Sequence, residues 1–319
     1  MSELSWKNDL LRLFPKRLQI VEKLSPQYAG TLEEIRVRIN QPLQAIGNGW
    51  ERFFNDKGDT QLRFATIVPT KQECEELLEL LAQHSLYAFD EELRRGFITV
   101  PGGYRVGLGG KTLVNGGRVE RITNCTFFNF RISREKRNCA DPLLPYLISS
   151  GGIYNTLIVS PPGCGKTTLL RDITRQLSDG CAHIPPYKIC IADERSEIAG
   201  CINGIPQCDV GIRTDVLDGC PKSEAIEIII RALSPSVIVT DEIGCTADFD
   251  AMIHAANAGA VLIASAHAGN IDDITRRPLL KKLFDYKIFD RYVFLSKANG
   301  PGTIEGIYDN LLNQVNGDI

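Results

Sequence analysis

The spacing of apolar residues changes period along the chain. In residues 1–30, Leu10, Leu11, Leu13, Phe14, Leu18, Ile20, Val21 and Leu24 recur at helical spacing, which predicts helix broken at Pro15, where proline removes a donor. Ile35, Val37 and Ile39 alternate with Arg36 and Arg38. This predicts short strands over 32–39 and 43–47, followed by a turn-rich stretch from Asn48 to Gly58. Thr70 and Glu73 form a Thr-x-x-Glu box ahead of Leu77, Leu78, Leu80 and Leu81, the signature of a capped helix. A second helix is expected over Leu86–Arg94. From Gly96 to Arg131 the pattern turns to strands separated by glycines, ending in CTFFNFRI.

Residues 136–152 are polar and then small, and beyond them the rhythm becomes strand, loop, helix, repeated. NTLIVS precedes KTTLLRDITRQL, and KICIADE precedes a long loop and SEAIEIIIRAL. VIVTDE precedes FDAMIHAANAG, VLIASAH precedes a basic segment, and YVFLS and TIEGIYD follow. These apolar runs do not alternate with polar residues, as expected of parallel strands buried on both faces. The expected architecture is an α+β domain over 1–139 and an α/β domain over 140–319. The basic amphipathic segment 276–287 reads as a surface helix of the second domain, with an anionic lipid surface as its alternative.

A net charge of −3 over 319 residues announces no global attraction to nucleic acid. The halves differ mildly: 21 Lys+Arg against 18 Asp+Glu up to residue 150, and 15 against 21 after it. The opening segment lacks the apolar core of a secretory signal, and no apolar run is long enough to span a bilayer. A cytoplasmic, reducing setting is therefore expected. None of the ten cysteines forms a CxxC pair, so they read as free thiols rather than zinc ligands.

The chemistry gathers at predicted strand ends. Ser160, Pro161, Pro162, Gly163, Cys164, Gly165, Lys166, Thr167 and Thr168 lie between a strand and a helix, the context a phosphate-binding loop requires. Backbone N–H groups around Gly163–Lys166 would cradle a β-phosphate at the helix N-terminus, Lys166 would reach the β/γ-phosphates, and the Thr167 hydroxyl would face Mg²⁺. The motif's usual first glycine is Ser160 here. A second apolar strand ends in Asp241, a candidate Mg²⁺ carboxylate, and Glu242, a candidate general base. A third ends in Asp193 and Glu194, and Glu194 is a rival or assistant base. His267 ends a fourth strand, where it could hydrogen-bond a γ-phosphate or a bridging water. Arg213 and Arg231 are candidate charge sensors.

SPPGCGKTTLLRDITRQ, IADERSEIAG, GIPQCDVGIRTDVLDGCPKSEAI, LSPSVIVTDEIG and SAHAG together resemble the traffic-ATPase superfamily of type II and type IV secretion and pilus motors. Within it the chain is most similar to the stage III sporulation AA family. GYRVGLGG and FRISRE extend the resemblance into the N-terminal half, so that it spans roughly residues 90–300. It implies a C-terminal RecA-like P-loop ATPase domain beside a smaller α+β domain. It also implies ATP and Mg²⁺ as ligands and a ring oligomer, hexameric by preference. Asp193 and Glu194 match the position of the family's acidic box, and His267 its histidine box. Arg105, Arg131 and Arg134 match the region from which family motors send arginines across the nucleotide. Membrane-embedded channel proteins, reached from the cytoplasmic side of a mother cell–forespore membrane, are the implied partners. Many relatives carry glycine where this chain has Asp241, so its acid pair is nearer the general P-loop form. The competing readings are a RecA-like nucleic-acid translocase, an ATP-dependent scaffold with negligible turnover, and a small-molecule kinase. Tyr104, Phe127, Phe128 and Phe130 would serve stacking in the first of these, although alternating strand aromatics are more often core.

Overall fold

Proline and capping decide how the chain begins. In the computed structural model, which describes residues 5–82, 90–132, 135–149, 151–181 and 184–315, α1 (Ser5–Leu10) runs into a 3-10 turn ahead of Pro15. A second 3-10 turn (Leu18–Lys23) and α2 (Pro26–Ala29) follow. The expected helix is thus a set of short turns that bury Trp6, Leu10, Phe14, Leu18 and Val21. Two antiparallel pairs come next: β1 (Leu32–Arg38) with β2 (Gln44–Gly47), and β3 (Trp50–Asn55) with β4 (Gly58–Thr60). The hairpin β3–β4 corrects the turn reading of residues 48–58. Asn48-Gly49 and Asn55–Gly58 are turns that bracket a real strand, whose Phe53 and Phe54 are buried.

The helix α3 (Lys71–Leu81) starts at Thr70 with both halves of the capping box formed: the Thr70 hydroxyl accepts from Glu73 N, and the Glu73 carboxylate accepts from Thr70 N. The helix expected over Leu86–Arg94 is described only from α4 (Asp90–Arg95); residues 86–89 lie outside the described residues. β5 (Phe97–Val100), β6 (Tyr104–Asn115) and β7 (Arg118–Arg131) complete a seven-stranded antiparallel sheet of order β4-β3-β2-β1-β7-β6-β5. Ile35, Val37, Val106, Phe128 and Phe130 share its core face with the N-terminal turns. Tyr104, Phe128 and Phe130 are therefore core, and only Phe127 of the four aromatics is exposed.

Two compact units divide the chain, Met1–Arg134 and Glu135–Ile319. The second opens with α5 (Leu144–Leu147) and a two-residue hairpin, β8 (Ile148–Ser149) and β9 (Gly152–Ile153). Then follow β10 (Thr156–Ser160), α6 (Lys166–Asp179), β11 (Ile189–Asp193) and β12 (Thr214–Asp218). After them come α7 (Lys222–Ala232), β13 (Val237–Glu242), α8 (Thr246–Asn257) and β14 (Val261–His267). α9 (Asp272–Arg276), α10 (Pro278–Asp285), β15 (Arg291–Ser296) and β16 (Thr303–Asp309) end the unit. β12 was expected to be loop and is a correction.

The sheet order is β12-β11-β13-β14-β10-β15-β16, parallel except for the edge strand β16. Alternate residues face two separate cores. Ile158, Ile191, Val239 and Ile263 meet Leu169, Leu170, Ile173 and Leu177 of α6. Leu157, Ala192, Ile238 and Ala264 meet Ile226 and Ile229 of α7, Met252 of α8 and Leu283 of α10. Helices on both faces explain the absence of polar alternation, since the residues of the five inner strands are almost all inside. Each fully buried Leu or Ile of these faces stabilises the fold by about 1.5–3 kcal/mol. Segment 276–287 is indeed a surface element of this core, with Leu280 and Leu283 buried beneath it.

Candidate functional site

All parallel strands end on the same edge, so strand order decides which residues meet. β14 lies between the loop strand β10 and the acidic strand β13. His267 is in register with Ser160 on one side and two residues beyond Ser265, the partner of Glu242, on the other. The result is a continuous chain of contacts. Lys166 Nζ lies 2.9 Å from His267 Nδ1, and His267 Nε2 lies 3.1 Å from Glu242 Oε2. His267 Nδ1 also lies 3.2 Å from the Ser160 carbonyl, so donor and acceptor along this chain are set by the tautomer of the ring.

The loop itself is held from several sides. Gly163 (φ +72°) and Gly165 (φ +89°) adopt left-handed conformations, and Gly165 is the N-cap of α6 with no side-chain cap. The first N–H groups of that helix therefore lack an intrahelical acceptor. Lys166 is buried and donates to Ser160 O (3.2 Å), Ser160 Oγ (3.2 Å) and Pro161 O (3.3 Å). Ser160, which replaces the motif's usual glycine, is thus a ligand of the loop lysine. Burial holds the Lys166 ammonium below the usual lysine range, and the Glu242 charge opposes that shift. Cys164 is buried, while Pro161, Pro162 and Gly163 are exposed along the loop and Thr167 and Thr168 are half-buried at the start of α6.

The acidic strand carries a bulge between Thr240 and Glu242, with Asp241 the extra residue. Asp241 is buried, and burial raises its carboxyl above the usual range while Lys222 pulls it back. Lys222 Nζ lies 3.0 Å from Asp241 Oδ1 and 3.8 Å from Glu194 Oε2, and it donates to the Glu242 carbonyl. Asp241 Oδ1 has no aligned hydrogen-bond donor, so this pair is a contact of charges rather than a hydrogen bond. Asp193 is fully buried and accepts from the N–H groups of Glu197 (2.8 Å), Ile198 (3.0 Å) and Ala199 (2.8 Å). Burial nevertheless pushes its carboxyl up to about 7, with Asp241 and Asp218 pushing the same way and the backbone bonds opposing. Arg171 of α6 donates to the carbonyls of Ile198 (2.6 Å) and Glu197 (2.8 Å), tying that loop to the helix after the glycines.

The structure thus brings together Ser160, Pro161, Lys166, His267 and Glu242, with Asp241 and Glu194 joined through Lys222. Arg105 and Arg131 belong to the first unit, where they face each other across β6 and β7. Arg105 also lies 3.5 Å from the centroid of the Phe97 ring. Arg134 lies outside the described residues. Arg213 donates to the Ser178 carbonyl, and Arg231 donates to the Glu227 carbonyl one turn back in α7.

Four residues escaped the sequence reading. Lys222 is one, and its signal was a lysine in the first turn of a helix, where the dipole disfavours positive charge. Arg171 and Arg277 carried none; Arg277 donates to the His267 carbonyl (2.8 Å). The fourth is Lys297, in the turn between β15 and β16. Gly302 N–H of that turn donates to Cys164 O (2.9 Å), and a Cβ on Gly163 would stand 2.9 Å from Lys297 Nζ.

The structure resembles that of the Legionella pneumophila ATPase DotB, with a TM-score of 0.54 and 14% identity over 82% of this chain and 72% of that one. It also resembles the pilus retraction motor PilT with bound ADP, with a TM-score of 0.51 and 15% identity over 82% and 74%. At these identities the likeness shows the fold, a RecA-like P-loop unit beside a smaller α+β unit. In sequence, the chain is 42% identical to stage III sporulation protein AA of Bacillus subtilis strain 168, over 97% of this chain and 98% of that protein. The model of the family described as sporulation stage III, protein AA matches residues 5–315, and the chain belongs to that family.

Proposed function

We propose that this protein is an ATP-hydrolysing motor of the secretion-ATPase type. It would work as a ring oligomer, hexameric by preference, and energise a transport channel between mother cell and forespore. The observation that carries the reading is the contact chain Lys166–His267–Glu242 at the mouth of a glycine loop. That chain links a phosphate-facing cation to a candidate base through one imidazole.

In this reading the N–H groups of Gly163–Lys166 take the β-phosphate, and Lys166 leaves Ser160 and Pro161 to meet the β/γ-phosphates. Ser160, Pro161, Pro162, Cys164 and Thr168 shape the loop around them. Glu242 accepts a proton from the attacking water, with Glu194 as its assistant. His267 holds the Glu242 carboxylate and senses Lys166, so it feels the presence of the terminal phosphate. Thr167 and Asp241 offer the hydroxyl and carboxylate oxygens that suit Mg²⁺ beside phosphates and water, and the unaligned Asp241 Oδ1 fits that use. Bound Mg²⁺ would neutralise the charge developing between the phosphates. An arginine from Arg105, Arg131 or Arg134 would stabilise the transition state, a device worth about 10³–10⁵ in rate in other P-loop enzymes. Among the described residues no helix is long and apolar enough to cross a membrane; in this reading the protein meets the membrane through embedded partners.

The test is specific ATPase rate against protein concentration, with Lys166→Ala as the blank. A rate per chain that rises with concentration is expected, because the arginine comes from a neighbour or depends on ring closure. A substantial rate that stays flat would favour a self-sufficient enzyme, and no rate above the blank at any concentration would remove the motor reading.

A further inference from the structure

Lys222 violates two rules at once. It stands in the first turn of α7, where the helix dipole disfavours a cation. Its side chain is only 4% exposed, although burying an ammonium is costly unless it is paired. Both violations have one compensation. Nζ faces Asp241 Oδ1 at 3.0 Å, Glu194 Oε2 at 3.8 Å and the Glu242 carbonyl, groups that end β11 and β13. The ammonium therefore sits on the same carboxylate that the motor reading assigns to Mg²⁺. Without Lys222, the buried Asp241 would face Glu194 and Glu197 with no cation within ion-pair distance among the described contacts.

We propose that Lys222 is a tethered counter-ion that occupies Asp241 in the metal-free state and competes with Mg²⁺ for that carboxylate. Glu194 is the acid that receives the ammonium when the metal arrives with nucleotide. The arrangement makes metal entry depend on the extra attraction of the phosphates. Lys222 is a positioning residue, and the inference rests on the reading of Asp241 as a metal carboxylate.

The full-length chain is titrated with a fluorescent ADP analogue, with Mg²⁺ and with EDTA, and the gain in affinity on adding metal is the readout. Lys222→Gln is expected to enlarge that gain about tenfold, because a charge competing at contact distance is gone. Lys222→Arg, which keeps the charge, should stay near wild type. If Lys222→Gln weakens binding equally with and without metal, Lys222 is a phosphate ligand and the proposal is overturned. An unchanged gain overturns it as well. If wild type binds no better than Lys166→Ala under either condition, both this proposal and the nucleotide reading beneath it fall. A second measurement needs no variant. Acylation of Lys222 by an amine-reactive acetyl reagent, read by mass spectrometry, should rise about threefold or more in Mg²⁺ and ADP relative to ADP with EDTA, because the ammonium leaves its buried pair. Equal or lower labelling contradicts the exchange.

Discussion

Two side chains show how much the site depends on single positions. His267 touches both Lys166 and Glu242, so its removal should affect chemistry more than binding. His267→Ala is expected to lower kcat by about 10–100-fold and to leave nucleotide affinity within about threefold of wild type. Turnover and equilibrium titration on the same preparation check this; a large loss of affinity with kcat intact would show that His267 builds the pocket instead. Asp193 gives a prediction in pH. Its carboxyl is raised to about 7 in the fold and would titrate near 3.9 in the unfolded chain. The folded state therefore binds this proton more tightly. Its contribution is fully present near pH 4 and is lost as pH rises through about 7. The stability of wild type minus that of Asp193→Asn should fall between about pH 4 and pH 7 and level off above that, in urea titrations followed by far-UV circular dichroism. A difference that stays level or grows with pH would mean that the carboxyl is ionised throughout.

The elements differ in how openly they are written. The helix α3 could be read from four residues because its cap is local: Thr70 and Glu73 satisfy each other's backbone donors within one turn. Thr70→Ala should cost about 1 kcal/mol. Both tryptophans, Trp6 and Trp50, lie in the first unit, so a shift of the urea midpoint in tryptophan fluorescence isolates the effect; no shift would mean the cap is redundant. The strand β12 was missed for a physical reason. It has five residues, two of them aspartate, and sits half-buried at a sheet edge, where it offers neither an apolar run nor a clean alternation. β3 was missed because turn residues at both ends outweighed the six residues between them. The bulge at Asp241 has no sequence signature, since only pairing with β14 defines it.

At the scale of the molecule, the prediction concerns assembly. Ring contacts between identical subunits are head to tail, so each subunit offers two different surfaces and closure needs all members together. Sedimentation velocity of Glu242→Gln with ATP and Mg²⁺ should show one large closed species that Lys166→Ala does not form. A monomer at every concentration would sink the ring.

The amino-acid sequence by itself determined the α/β character of the second unit, the glycine loop and the acids and histidine at strand ends. Those features depend on local turn geometry and on apolar runs, which neighbouring residues specify. It could not say that His267 bridges Lys166 to Glu242, that Ser160 holds the loop lysine, or that Lys222 sits on Asp241. Each of these joins residues 6 to 101 positions apart. For His267 it is the order of strands, with β14 inserted between β10 and β13, that brings the partners within reach, because a contact between strand ends depends on which strands are neighbours and not on how far apart they lie along the chain; for Ser160 and Lys222 it is the closing of the loop and the packing of the start of α7 on the end of β13.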